Sequence, residues 1–127
     1  MYRSVSAIAG LCLQLSAAVA AAQTPASEST NGATLFRQRC GACHQVATPR
    51  NGVGPHLQGV VGRAAGSVEG YNYSPAIKGS GIVWSADNLD GFLTNPGAMV
   101  RGTRMTQRFA NAAERQAIIE FLQQKQD

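Results

Sequence analysis

Within five residues, Cys40-Gly41-Ala42-Cys43-His44, the chain brings together two thiols and an imidazole. No other run in it restricts folding as much. Cysteines at this spacing serve a disulfide, a redox couple, a metal or a covalent cofactor. Each use makes a demand on the rest of the chain. A thioredoxin-like couple needs a strand before the motif and a βαβ setting, and no strand-like alternation of useful length occurs. A zinc site needs two more ligands at metal spacing, and outside the motif only His56 is on offer. A plain disulfide leaves His44 unexplained. Thioether attachment of one haem meets every demand. Each thiol adds across one vinyl group, two intervening residues match the vinyl separation, and the next histidine reaches the iron from the same side.

The surrounding pattern agrees with a cofactor-organised fold. From Gln45 to Gly70 the chain is rich in Gly and Pro and shows little periodicity. Such a long irregular stretch is unusual in a compact domain unless something other than protein organises it. The remainder reads as all-α. Thr30 or Asn31 is expected to cap a helix running to about Cys40, with Gly32, Leu35 and Phe36 near one face. Ser74 to Lys78 suits a short helical turn. Ser85 caps a helix to about Thr94, with Leu89, Phe92 and Leu93 on its apolar side. Asn95-Pro96-Gly97 stops it. Asn111 followed by Glu114 resembles a capping box and opens the last helix. Its stripe is Ala117, Ile118, Phe121 and Leu122.

The chain has 127 residues, and they are not all one folded unit. Met1-Tyr2-Arg3, an uncharged apolar run from Val5 to Val19, and Ala20-Ala21-Ala22 read as a secretory signal peptide with its cleavage site. Ala20 and Ala22 both suit the cut. Cys12 lies inside the apolar run, lacks a lipoprotein setting and is discarded with it. The expected organisation is a signal peptide over 1–22, a linker over 23–30 and a monohaem domain over 31–127. About 105 residues remain after cleavage, enough for one small domain. Removing Arg3 from the eleven Lys and Arg leaves ten basic against seven acidic side chains. That mild excess can steer a redox partner but does not point to nucleic acid. No membrane span is expected after cleavage. Export to the bacterial periplasm fits the motif, because haem is attached outside the cytoplasm.

A low-spin iron needs a second axial ligand, and His/Met pairs raise the reduction potential. Met99 sits after Asn95-Pro96-Gly97-Ala98 and reads as core filler. Met105 lies in the glycine-containing loop Val100-Arg101-Gly102-Thr103-Arg104-Met105, which can approach a haem face. His56 is the rival ligand, although a lone histidine beside proline is usually at the surface.

Taken in order, these residues resemble the class I cytochrome c family, particularly the branch with mitochondrial cytochrome c and its bacterial relatives. The matching stretches are Gly32 to Phe36, Cys40 to His44, Gly54-Pro55-His56-Leu57-Gln58-Gly59, Gly62-Arg63 and Tyr71-Asn72-Tyr73. Trp84, Asn95-Pro96, Gly102 to Met105 and Phe121-Leu122 follow. The resemblance spans Gly32 to Leu122. It implies three main helices plus short turns wrapped around one haem c, held by Cys40 and Cys43 and ligated by His44 and Met105. It implies that the Pro55 carbonyl faces the other ring nitrogen of His44. Arg63, Tyr73 and Trp84 would surround the propionates. Gly32, Phe36 and Phe121 would form the crossing of the first and last helices. Two departures stand out. Phe92 occupies the place of a tyrosine, which removes one hydrogen bond to the thioether. Arg101 replaces a frequent proline, which frees the loop before Met105. The segment between Met105 and the last helix is also slightly shorter.

The implied activity is electron transport rather than catalysis, by ferrous/ferric cycling, with electrons leaving near the Cys40 thioether. The expected partners are redox proteins of a respiratory chain: a quinol–cytochrome c oxidoreductase, a terminal oxidase, or a periplasmic dehydrogenase or reductase. The protein is expected to be a monomer. Arg37, Arg39, Arg50, Arg101, Arg104 and Arg108 offer a positive rim for an acidic partner. A dehydrogenase subunit, and a haem site with an open position acting as a peroxidase or gas sensor, are the other readings.

Overall fold

The computed structural model describes residues 27–125. The signal peptide expected over 1–22 lies outside them, as do linker residues 23–26. Five helices follow: α1 Ser27–Arg39, α2 Pro75–Lys78, α3 Ala86–Thr94, α4 Pro96–Met99 and α5 Ala112–Gln124. Among the described residues the only β pairing is one isolated bridge, Ala64 to Val83. No helix there is long and apolar enough to cross a membrane. The fold is all-α, with α1, α3 and α5 as its main helices.

Helix α1 begins at Ser27, ahead of the expected cap at Thr30 or Asn31, so 27–30 belong to it rather than to a linker. Ser27, Ser29, Thr30 and Asn31 are all residue types that can cap a helix, and the sequence gives no reason to choose among them. Gly32 then lets α1 cross α5 closely. A β-carbon there would strike the Ala117 carbonyl oxygen and lie 2.9 Å from Phe121 Cβ. The Phe36 and Phe121 rings pack 5.4 Å apart beside it. Arg39 closes the far end of the crossing with an ion pair to Glu114 at 2.9 Å.

Helix α3 starts in a reciprocal cap. Asn88 N donates to Ser85 Oγ at 3.3 Å, and Ser85 N donates to Asn88 Oδ1 at 2.7 Å. Leu89, Phe92 and Leu93 are buried at the expected helical spacing. Asn95 ends α3 and caps α4, with its side chain accepting from Ala98 N at 3.2 Å. At α5, Asn111 Oδ1 accepts from Ala113 N and Glu114 N. The Glu114 carboxylate does not complete the expected box. It pairs with Arg39 instead, because the α1 crossing brings a cation to it. Ile119 joins the buried set at 2% exposure, extending the predicted stripe.

The irregular stretch is organised by side chains that reach across to the backbone. Asn51 Nδ2 donates to Glu69 O at 3.1 Å, while Asn51 Oδ1 accepts from His56 N at 3.0 Å. Tyr71 donates its hydroxyl proton to Val53 O at 2.7 Å. Arg63 donates to Gln58 O and His56 O, both at 2.9 Å. Paired carbonyls and amides are what let such loops pack without ladder bonds.

Candidate functional site

Between these loops and the faces of α3 and α5 lies a cavity of about 470 Å³. All eight residues singled out from sequence line it: Cys40, Cys43, His44, Pro55, Arg63, Tyr73, Trp84 and Met105. Met99 and His56 do not. The walls are apolar, with Leu57, Leu89, Phe92, Leu93, Ile118 and Leu122 among them. Size and lining suit a cofactor that is large, flat and mostly hydrocarbon.

Cys40 directly follows α1, its amide bonded to Phe36 O at 2.8 Å, and His44 N reaches back to Cys40 O at 2.9 Å. This turn places both thiols and the imidazole on the cavity. Burial pushes the Cys40 thiol up to about 11, against the opposing charge of Arg39. Cys40 is therefore a neutral thiol near neutral pH. Its side chain is buried while Cys43 is exposed. The solvent-facing thiol is thus Cys43.

His44 Nδ1 lies 2.7 Å from Pro55 O. A carbonyl can only accept, so Nδ1 carries the proton and Nε2 keeps its lone pair. Burial lowers the His44 pKa below the usual 6.5, helped by Arg63 and opposed by the Pro55 bond. The ring is thus a neutral imidazole in one tautomer, the form a metal binds. Gly54 makes this possible. Its Cα lies against the ring, and a β-carbon there would overlap it. The sequence reading placed Gly54 in a matching stretch without giving it this task. Its position one residue before Pro55 was the available signal.

Arg63 is half-buried, and desolvation lowers its pKa. Two of its N–H groups go to backbone carbonyls, leaving others for an anion. The Tyr73 hydroxyl accepts from Val68 N at 3.2 Å and keeps its own proton to donate. Burial raises its pKa, while that bond and Arg63 lower it. Trp84 is buried and meets Phe92 edge-on, 5.0 Å between centroids. Phe92 therefore presents no hydroxyl to this cavity, and its ring packs against Trp84. The loop before Met105 turns at Gly102, whose φ of 94° suits glycine. Met105 packs against the core cluster.

A helical shell around an apolar slot, with a Cys-x-x-Cys-His turn and a methionine on the same slot, defines a haem protein of the cytochrome type. The sequence pattern of the family described as Cytochrome c matches residues 29–126. Cytochrome c2 of Rhodomicrobium vannielii is 43% identical over 118 residues, 91% of this chain and 90% of that protein. Cytochrome c 2.1 of Caenorhabditis elegans is 38% identical over 102 residues, 78% of this chain and 90% of that protein. The solved cytochrome cH from Methylobacterium extorquens superposes with a TM-score of 0.71 at 37% identity, covering 76% of this chain and 98% of that one. The chain belongs to the cytochrome c family. Its cofactor is one covalently bound haem c, and its class is that of electron carriers.

Proposed function

We propose that the chain is a periplasmic monohaem electron carrier with His44 and Met105 as its axial ligands. Two features of the cavity support this most: His44 and Met105 share it with both cysteines, and Met99 and His56 stay out of it. Bound there, haem c supplies an iron that alternates between the ferrous and ferric states. Cys40 and Cys43 hold it through thioethers, and the hydrogen-bonded turn that starts at Cys40 fixes their spacing. His44 offers Nε2, held in place by Pro55 and Gly54. Met105 offers a neutral sulfur, which favours the reduced state. Arg63, Tyr73 and Trp84 supply donors for carboxylates that would be costly to bury alone. The apolar wall of Leu89, Leu93 and Leu122 excludes water from the faces.

The signal peptide read from 1–22 motivates the periplasmic assignment. The partners are redox proteins: a quinol–cytochrome c oxidoreductase, a terminal oxidase, or a periplasmic dehydrogenase or reductase. Arg37, Arg50, Arg101, Arg104 and Arg108 are all exposed and can meet an acidic surface. Arg39 is exposed too, but its charge is already paired with Glu114. Redox encounters are small and short-lived, so no stable complex is expected.

The test is the ferric absorption spectrum of the holoprotein beside Met105→Leu. A weak far-red thioether-to-iron band in the wild type, lost in the variant, assigns the sixth ligand to Met105. Its absence in the wild type removes His/Met ligation and favours an open haem position.

A further inference from the structure

Met105 lies in a span that does little to hold itself. Among the described residues, the backbone of 104–108 makes no main-chain hydrogen bond. Beyond the packing of Met105 against the core, its position is set by what anchors the two ends. Upstream, Thr103 N donates to Val100 O at 3.0 Å, and Arg104 Nη1 donates to Asn72 O at 2.6 Å. Downstream, the anchor is Arg115 of α5. Its Nη1 donates to Phe109 O at 2.8 Å and to Ala110 O at 3.1 Å. Its Nε donates to Asp90 Oδ1 at 2.7 Å. Phe109 N donates in turn to Leu93 O at 2.9 Å.

We infer that Arg115, oriented by Asp90, is a positioning residue that keeps Met105 on the cavity. This rests on the reading of Met105 as axial ligand. Asp90 and Leu93 both belong to α3, and Leu93 is part of the cavity wall. The clasp thus references the methionine loop to the same helix that shapes the site. Arg115 itself does not line the cavity, so it acts through Phe109 and Ala110. Only 11% of its side chain is exposed. A guanidinium there must be paired, and its planar fork serves a carboxylate and two carbonyls at once. A lysine ammonium reaching Asp90 would not reproduce that fork. From the other side, the Arg39 guanidinium sits 6.0 Å from the Phe109 ring centroid. Phe109, 3% exposed, is therefore gripped from α1, α3 and α5 together, four positions after Met105.

If the clasp fixes Met105, weakening it speeds the exchange of the thioether for an outside ligand. The experiment uses ferric holoprotein with imidazole as the probe, following loss of the far-red thioether band. Arg115→Gln is expected to raise the displacement rate about tenfold or more, because charge-assisted bonds at a nearly buried site are lost. Asp90→Asn should give a smaller rise, and Arg115→Lys should stay fast. Ile119→Val, a core change in the same helix that does not touch the cavity, lowers stability and should leave the rate at the wild-type value. Asp90 is 45% exposed, so Asp90→Asn carries the comparison if Arg115→Gln does not fold. An unchanged rate in the clasp variants, with the wild-type band present, overturns the clasp and leaves Met105 as ligand. Acceleration in Ile119→Val in proportion to its lost stability overturns it as well. A wild type without the band overturns both readings.

Discussion

A β-carbon at Gly54 would fall on the imidazole of His44, 2.6 Å from Nδ1 and 2.9 Å from Nε2. The same ring donates from Nδ1 to Pro55 O at 2.7 Å. Adjacent residues of one loop thus set both the position and the tautomer of a single side chain. The ring cannot slide away from an intruding methyl without giving up the Pro55 bond.

Gly54→Ala is therefore expected to destabilise the holoprotein by about 3 kcal/mol, the upper part of the range for overpacking. It should also lower the yield of attached haem, since the displaced ring no longer faces the cavity. Denaturant midpoints and the haem-to-protein absorbance ratio check this. Wild-type values for both would show that the loop relaxes around the methyl and that His44 is not held by contact with Gly54.

The crossing of α1 over α5 makes a different kind of demand. A β-carbon at Gly32 meets backbone at Ala117 as well as the Phe121 side chain, and a helix backbone does not step aside easily. Gly32→Ala should cost about 1–3 kcal/mol by forcing the helices apart. Neither Gly32 nor Ala117 lines the cavity, so the ferric spectrum should stay unchanged. Equilibrium unfolding beside the absorption spectrum separates the two effects. A spectral change would mean that the crossing also sets the site.

Those two glycines show what sequence can and cannot convey. Both lie in stretches that match the cytochrome c pattern, yet only Gly32 had a readable task, because the resemblance implies a helix crossing there. Helices α3 and α5 were legible from Ser85 and Asn111 and from their apolar spacing, since caps and periodicity are local signals. The eight site residues converge on one cavity because the Cys-x-x-Cys-His turn and the matching stretches order them along the chain. What stayed hidden is held by contacts between distant positions. Arg115 bonds Asp90 across 25 residues, and Arg39 draws Glu114 away from its local cap across 75. Asn51 and Tyr71 each pin backbone 18 residues away. No periodicity announces such pairs.

His56 links this architecture to pH. It is half-buried, and its Nδ1 is buried without a hydrogen-bond partner among the described residues. Its carbonyl accepts from the Arg63 guanidinium at 2.9 Å. Burial, followed by the charge of Arg63, lowers its pKa below the ordinary 6.5. In the window between that lowered value and 6.5, the unfolded chain binds the proton more readily than the folded one. Stability from this group is then complete above 6.5 and is lost as pH falls toward the folded value. His56→Gln removes the proton and should flatten this part of the profile while leaving the Asn51 bond to the backbone amide in place. Denaturant midpoints at pH 7.5 and 5.5 for wild type and variant provide the check. The wild type should lose more of its stability than the variant between the two. Equal losses would assign the acid sensitivity to other groups, and would mean that His56 reaches solvent well enough to take up its proton without cost.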